Sequence, residues 1–221
     1  MLNEFAKLVP AELFSRSGNV FYSGHAAFAQ ASPLYILGYN PGGDVVAQAD
    51  ETIGANIARS LKRKEAHYSE YKDASWAGQP AGTFRMQPRV THLLEKLELD
   101  PHKVPASNLI FVRSRNEVDI RNERKRLEDL CWPFHQRVIE ALDIRVVVCF
   151  GGTVGSALCH RLNAHGFVGA FQETNARRWK TTAHRNEHGI IVITATHPSR
   201  ADWTKPASDP SGFIKSMLAI K

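Results

Sequence analysis

The sequence predicts an α/β protein, a three-layer α/β/α arrangement around a central, mostly parallel sheet. Three observations lead there. Residues 34–37, Leu-Tyr-Ile-Leu, form a short apolar run that reads as a strand buried on both faces. The stretches 145–150 and 190–194 repeat that character. Segments of helical periodicity separate the runs, and strands alternating with helices favour a doubly wound sheet. The 221 residues fit one domain, 1–221, since single cores stop growing only beyond about 250–300 residues.

Taken in order, residues 2–14 carry Leu2, Phe5, Ala6, Leu8 and Val9 as a helical stripe interrupted by Pro10. Residues 19–22 read as a short extended piece, and 23–32 give no signal. A helix is expected over 52–72, where Ile53, Ile57 and Leu61 share a face before the charged run 62–65. From 74 to 87 glycine, proline and polar residues surround Trp76 and Phe84, an irregular aromatic loop. A helix over 88–99 ends at Pro101, and a strand with its apolar body at 109–112 follows. Residues 123–142 read as a helix that Pro133 starts or kinks. The strand 145–150 leads through Gly151, Gly152 and Thr153 into a helix at 154–162, and a short helix at 213–220 closes the chain. Neither a repeat nor a linker interrupts this order.

A hydrophobic fraction of 43% and a charged fraction of 23% are ordinary for a folded globular chain and exclude disorder. The formal charge of +6 suits a polyanionic partner. Cys131, Cys149 and Cys159 are odd in number and lack CxxC spacing, which argues against a disulfide framework and against a zinc site. A reducing compartment is expected, cytoplasmic or, in a bacterium, nucleoid-associated. No signal-peptide pattern opens the chain and no apolar run approaches 18 residues, so neither secretion nor a membrane partner is expected.

Chemistry is expected where strands stop. Gly38, Asn40, Pro41, Gly42 and Gly43 cannot continue the strand at 34–37, so a tight loop must form at its carboxyl end. Open α/β sheets hold ligands there, although an ordinary strand-to-helix turn would read the same way. The strand at 190–194 likewise runs into His197, Pro198, Ser199 and Arg200. These two loops can meet across one sheet edge. The Gly151–Gly152–Thr153 turn fits either a phosphate site or plain helix–strand packing.

In this order the motifs resemble those of the uracil-DNA glycosylase superfamily. Gly38-Tyr39-Asn40-Pro41-Gly42 is similar to its G-x-N-P-G motif, and His197-Pro198-Ser199 to its H-P-S motif. VPASNLIFVRSRN, residues 104–116, resembles the superfamily strand that bears a base-reading asparagine. LCWPFHQRVIEALDIRVVVCFGGTVGSAL, residues 130–158, resembles its C-x-P-F helix and the strand turn after it. The likeness covers residues 34–200. Where iron–sulfur branches carry four cysteine ligands, Cys131 stands alone and Ser114 occupies a cysteine position, so ligand count excludes a cluster. Asn40, where the most active branch has aspartate, places the chain nearer the single-strand-selective and mismatch-specific branches. Arg200 and the long tract 44–75 depart from the pattern.

The resemblance implies a monofunctional DNA glycosylase of base excision repair, a monomer with DNA as partner and without metal or redox cofactor. Such an enzyme flips its target base and stabilises a departing base anion. His197 would donate a hydrogen bond to that anion, and Asn40, which carries no charge to act as a true base, would orient a water. Asn108 offers one donor and one acceptor, matching the uracil edge. Tyr39 and Phe84 would contact the flipped base, with Trp76 as an alternative platform. Gly42, Gly43, Ser199 and Arg200 would face DNA, and Trp203 would fill the vacated space. No motif places a nucleophilic lysine, which argues against lyase activity, with Lys205 the nearest candidate. Each residue also has a structural reading: a capping histidine, a loop-closing asparagine, a core phenylalanine. A nucleic-acid-binding module of the same fold and another nucleotide-processing hydrolase remain alternatives.

Overall fold

The structure, a computed structural model, describes residues 1–220. Its centre is a six-stranded sheet in the order β2-β1-β3-β6-β5-β4. The strands are β1 (Leu34–Gly38), β2 (Ala106–Asn108), β3 (Val146–Phe150), β4 (Gly166–Gln172), β5 (Lys180–Arg185) and β6 (Ile191–Ala195). β2, β1, β3 and β6 are parallel neighbours, while β5 and β4 add an antiparallel hairpin at one side. The helices are α1 (Leu2–Ala6), α2 (Ile53–Lys62), α3 (Gln87–Lys96), α4 (Arg124–Ala141), α5 (Gly152–Arg161) and α6 (Ser211–Leu218).

Alternation along the buried strands sends side chains to two cores. Tyr35, Leu37, Val147, Cys149 and Val192 pack with α1, α2, α4 and α5 on one face. Leu34, Ile36, Val146, Val148, Phe150, Ile191 and Ile193 pack with α3, α6 and Trp203 on the other. Helices on both faces give the expected three-layer α/β/α fold with a mostly parallel sheet. β2 and β3 flank β1 on opposite sides, so the strand order reverses at β1 and β3, where doubly wound sheets open a crevice at their carboxyl ends.

Several element boundaries differ from the expectations. α1 stops at Ala6, and Pro10 instead starts a separate 3₁₀ turn, Ala11–Leu13. α2, capped by the Thr52 hydroxyl accepting from the Ala55 N–H at 3.1 Å, ends at Lys62 rather than 72. Beyond it Ser69 and Asp73 close a turn, the Asp73 carboxylate accepting from the Ser69 N–H at 2.8 Å. Residues 19–22 form no strand; isolated bridges at Ser17, Gly18 and Ser23 flank them.

The strand expected at 109–112 lies at Ala106–Asn108, paired so that Gly38 faces Asn108. Leu109 to Val112 are buried for another reason: Phe111 packs edge-on against Phe134 of α4 at 5.2 Å. Pro133 sits inside α4 instead of starting it. The β4–β5 hairpin was not expected, because β4 is largely exposed and β5 is polar.

Candidate active site

The carboxyl ends of the four parallel strands bring the singled-out loops to one edge. Asn108 ends β2, Gly38 to Gly43 follow β1, Gly151 follows β3, and Thr196 to Arg200 follow β6. The strands that lead to Asn40 and His197, β1 and β6, are two strand spacings apart, about 10 Å. Between them Gly151 adopts φ 103°, and a methyl there would touch His197 Cδ2 at 3.7 Å. The surface clefts around Trp132 and Arg161, and around Phe167 and Arg185, lie away from this edge.

Asn40 is held in one orientation. Its amide nitrogen stands 2.8 Å from Ser114 Oγ and 3.2 Å from each of the carbonyls of Pro41 and Val112, two N–H donors shared among three acceptors. Carbonyls only accept, and Ser114 Oγ spends its own proton on Asn116 O at 2.8 Å, so the nitrogen must face them. Oδ1 is left as the free, accepting end. Behind the loop, Arg113 donates to Gly42 O at 2.6 Å, to Ser17 Oγ at 3.0 Å and to Glu51 at 2.8 Å. Gly42 and Gly43 are exposed, and Gly43 takes φ 130°, where its missing side chain makes room for Gln48 and Arg113.

His197 is also fixed. Its Nδ1 accepts from the Ser199 backbone N–H at 3.1 Å and lies 2.8 Å from Ser199 Oγ. A backbone N–H can only donate, so Nδ1 carries no proton and Nε2–H is a donor. Burial pushes the imidazole pKa below its ordinary value, Arg200 adds to that, and Glu117 opposes it. The ring is thus neutral at pH 7. Its loop is anchored by Arg89 of α3, which donates to Pro198 O and lies 3.5 Å from Asp202, and by Arg177, which donates to Arg200 O. Ser199 and the Arg200 side chain are exposed.

Asn108 sits tightly against β1, since a methyl on Gly38 would fall 2.1 Å from its Oδ1. Nearby, burial pushes the Tyr22 hydroxyl pKa up to about 12, keeping it protonated. From Tyr22 an aromatic row crosses to the histidine. Tyr22 stacks on Tyr71 at 6.0 Å, Tyr71 meets Phe150 edge-on at 6.3 Å, and Phe150 meets His197 at 6.2 Å. Sequence reasoning passed over Tyr22, Tyr71, Gln87, Arg89 and Arg113; Tyr22 and Tyr71 carry no motif, Gln87 and Arg89 flank the start of a helix read only for its apolar face, and Arg113 sits in a motif read only for its asparagine.

Of the two aromatic platforms named from sequence, Trp76 joins this row, edge-on to Tyr71 at 6.0 Å with its indole N–H on Glu70 at 3.2 Å. Phe84 is half-buried just before α3, with Arg85 above its ring at 5.0 Å and its N–H held by Gln87 Oε1 at 3.0 Å. Buried Gln87 gathers the whole loop, donating to the carbonyls of Glu70 and Ala74 at 2.7 and 2.8 Å.

Two expectations need correction. Trp203 is fully buried and packs edge-on against Phe150 at 5.5 Å, so it belongs to the core and not to a DNA-facing wedge. Tyr39 is 5% exposed with its ring beneath Arg124 of α4 at 5.5 Å, so its side chain packs in the interior and does not line the edge.

No protein-family model and no curated protein matches the chain. Among the described residues no helix is long and apolar enough to cross a membrane.

Proposed function

We propose that this chain is a monofunctional DNA glycosylase that hydrolyses the N-glycosidic bond of uracil or another deaminated base. The observation that carries this reading is the pair of oriented groups on one sheet edge: the Nε2–H of His197 as a donor and Oδ1 of Asn40 as an acceptor. Bond cleavage leaves negative charge on the base and positive charge on the sugar. A neutral imidazole donor stabilises the first without needing to lose a proton, and it is already aimed when the charge develops. An amide oxygen orients a water toward the second but cannot take its proton, so turnover is modest. Asn108, between Tyr22 and Gly38, offers donor and acceptor to the uracil edge, where two hydrogen bonds select against cytosine. Half-buried Trp76, with buried Tyr71 packed edge-on behind it, supplies the apolar floor on which a flipped base rests.

The test is incubation with labelled oligonucleotides, single- and double-stranded, each holding one uracil, hypoxanthine, xanthine or mismatch. Release of a base with an intact sugar–phosphate backbone is expected, and no release from any substrate refutes the reading. A second reading, a nucleic-acid-binding module of the same fold, is favoured by the way Asn40 spends its amide nitrogen on tying its loop to Val112 and Ser114 after β2. It predicts oligonucleotide binding without base release.

A further inference from the structure

Away from the active-site edge, ahead of β2, three side chains converge: His67 from the tract after α2, and Asp100 and His102 from the turn after α3. One ligand atom from each lies within 4.8 Å of the others. Asp100 Oδ1 stands 2.9 Å from His102 Nδ1, and Asp73 Oδ2 stands 3.0 Å from His102 Nε2. Both carboxylates are themselves placed by backbone: Asp73 accepts from the Ser69 N–H at 2.8 Å, and Asp100 from the His102 N–H at 3.0 Å. The His67 ring stands nearly perpendicular to that of His102, centroids 6.1 Å apart.

His102 thus has a carboxylate oxygen on each ring nitrogen. A neutral imidazole has one N–H, which satisfies one carboxylate and leaves a lone pair facing the other. A metal ion on Nδ1 removes that conflict, and His67 completes its ligand set. Two imidazoles and one carboxylate are the donors that zinc and its first-row neighbours take.

We infer that His67, Asp100 and His102 bind a divalent transition-metal ion, zinc being the best match, with a fourth position open to water. Asp73 accepts from His102 Nε2–H and fixes the tautomer that presents Nδ1, the outer carboxylate that metal-bound histidines usually have. Zinc bonds of 2.0–2.1 Å require ligand atoms about 3.3 Å apart, so the exposed Asp100 carboxylate, 2.9 Å from His102 Nδ1, draws back slightly and the exposed His67 side chain turns to meet the ion. Cysteine spacing argued against a zinc site, but no cysteine takes part in this one. The ion ties the turn after α3 to the tract that carries Tyr71 and leads to Trp76, so it steadies the aromatic row from behind. This inference is independent of the proposed glycosylase activity.

The test is zinc titration of chelator-treated full-length protein, by calorimetry and by competition with a chromophoric chelator, with melting temperature read in parallel. One equivalent bound and a raised melting temperature are expected. His67→Ala and His102→Ala should each abolish both effects, Asp73→Asn should weaken binding about 10–100-fold, and His188→Ala should bind as the parent does. His67 is exposed, so its variant tests the ligand set even if His102→Ala fails to fold. A parent that binds no zinc, or a folded His67→Ala protein that binds it undiminished, overturns the inference. Undiminished binding by Asp73→Asn removes the outer role given to that carboxylate.

Discussion

Gly38→Ala isolates the placement of Asn108 from its chemistry. Gly38 ends β1 and pairs with Asn108, and a methyl built on it would sit 2.1 Å from Asn108 Oδ1 and 3.2 Å from Cγ, with nothing else within 4 Å. Ordinary contact requires the amide oxygen to retreat by about 1 Å or more. Gly38 has no left-handed φ, so the backbone accepts alanine and the fold survives. A misplacement of that size in a substrate-positioning group costs about 10²-fold in rate. Single-turnover base release from a uracil oligonucleotide, with folding followed by circular dichroism, measures it. The same substitution in an Asn108→Ala background meets an empty space and should have no further effect. Parent-like activity of Gly38→Ala, or an equal loss with and without Asn108, refutes the argument that this glycine exists to seat that asparagine.

His197→Ala should lower the single-turnover rate about 10²–10³-fold while leaving oligonucleotide affinity near the parent value, as removal of one preorganised donor does. Asn40→Asp turns a carboxylate toward the carbonyls of Pro41 and Val112 in place of an N–H, so it should lower melting temperature and not raise activity. Trp203→Ala, at a fully buried position, should cost about 3–5 kcal/mol in urea unfolding and leave the DNA affinity of the folded protein unchanged. His135 is buried between Tyr35 at 2.8 Å and the Leu109 carbonyl at 3.1 Å, and burial lowers its pKa from 6.5 to about 3. The unfolded chain takes up that proton first, so the stability is full above pH 6.5 and is lost as pH falls. At pH 5 the loss is about 2 kcal/mol, read as the parent's extra destabilisation between pH 7 and pH 5 relative to His135→Gln.

The central sheet was legible because strands buried on both faces must be apolar throughout, and glycine, proline and asparagine stop them abruptly. That signature marked β1, β3 and β6 and, with them, the loops of Asn40 and His197. β4 and β5 gave no such signature, since a hairpin at the sheet's side keeps most of its surface in solvent and needs no apolar run. The apolar stretch at 109–112 misled for the opposite reason: its burial comes from packing on α4, and only Leu109 and Ile110 still donate to the β1 side, at Gly38 and Tyr39, past the end of the paired strands. Trp203 follows the His197 loop closely enough to look like a ligand contact, yet whether an aromatic near a site turns inward is a matter of tertiary packing. The Tyr22–Tyr71–Phe150 row is drawn from three separate segments and has no local pattern at all.

Under the proposed function, the polar residues of this edge do two jobs with one set of bonds. Where strands end, their backbone carbonyls lose ladder partners and need donors. The amide nitrogen of Asn40 meets that need at Pro41 and Val112, and Arg113 meets it at Gly42. The Ser199 N–H finds its acceptor in His197 Nδ1. Each pairing uses one end of a two-ended side chain and thereby aims the other, Oδ1 of Asn40 and Nε2–H of His197, away from the backbone. Structural and chemical readings of these residues are therefore not exclusive, because the bonds that close the loops are what hold the free donor and acceptor still, and a group held still needs no reorganisation when charge develops beside it.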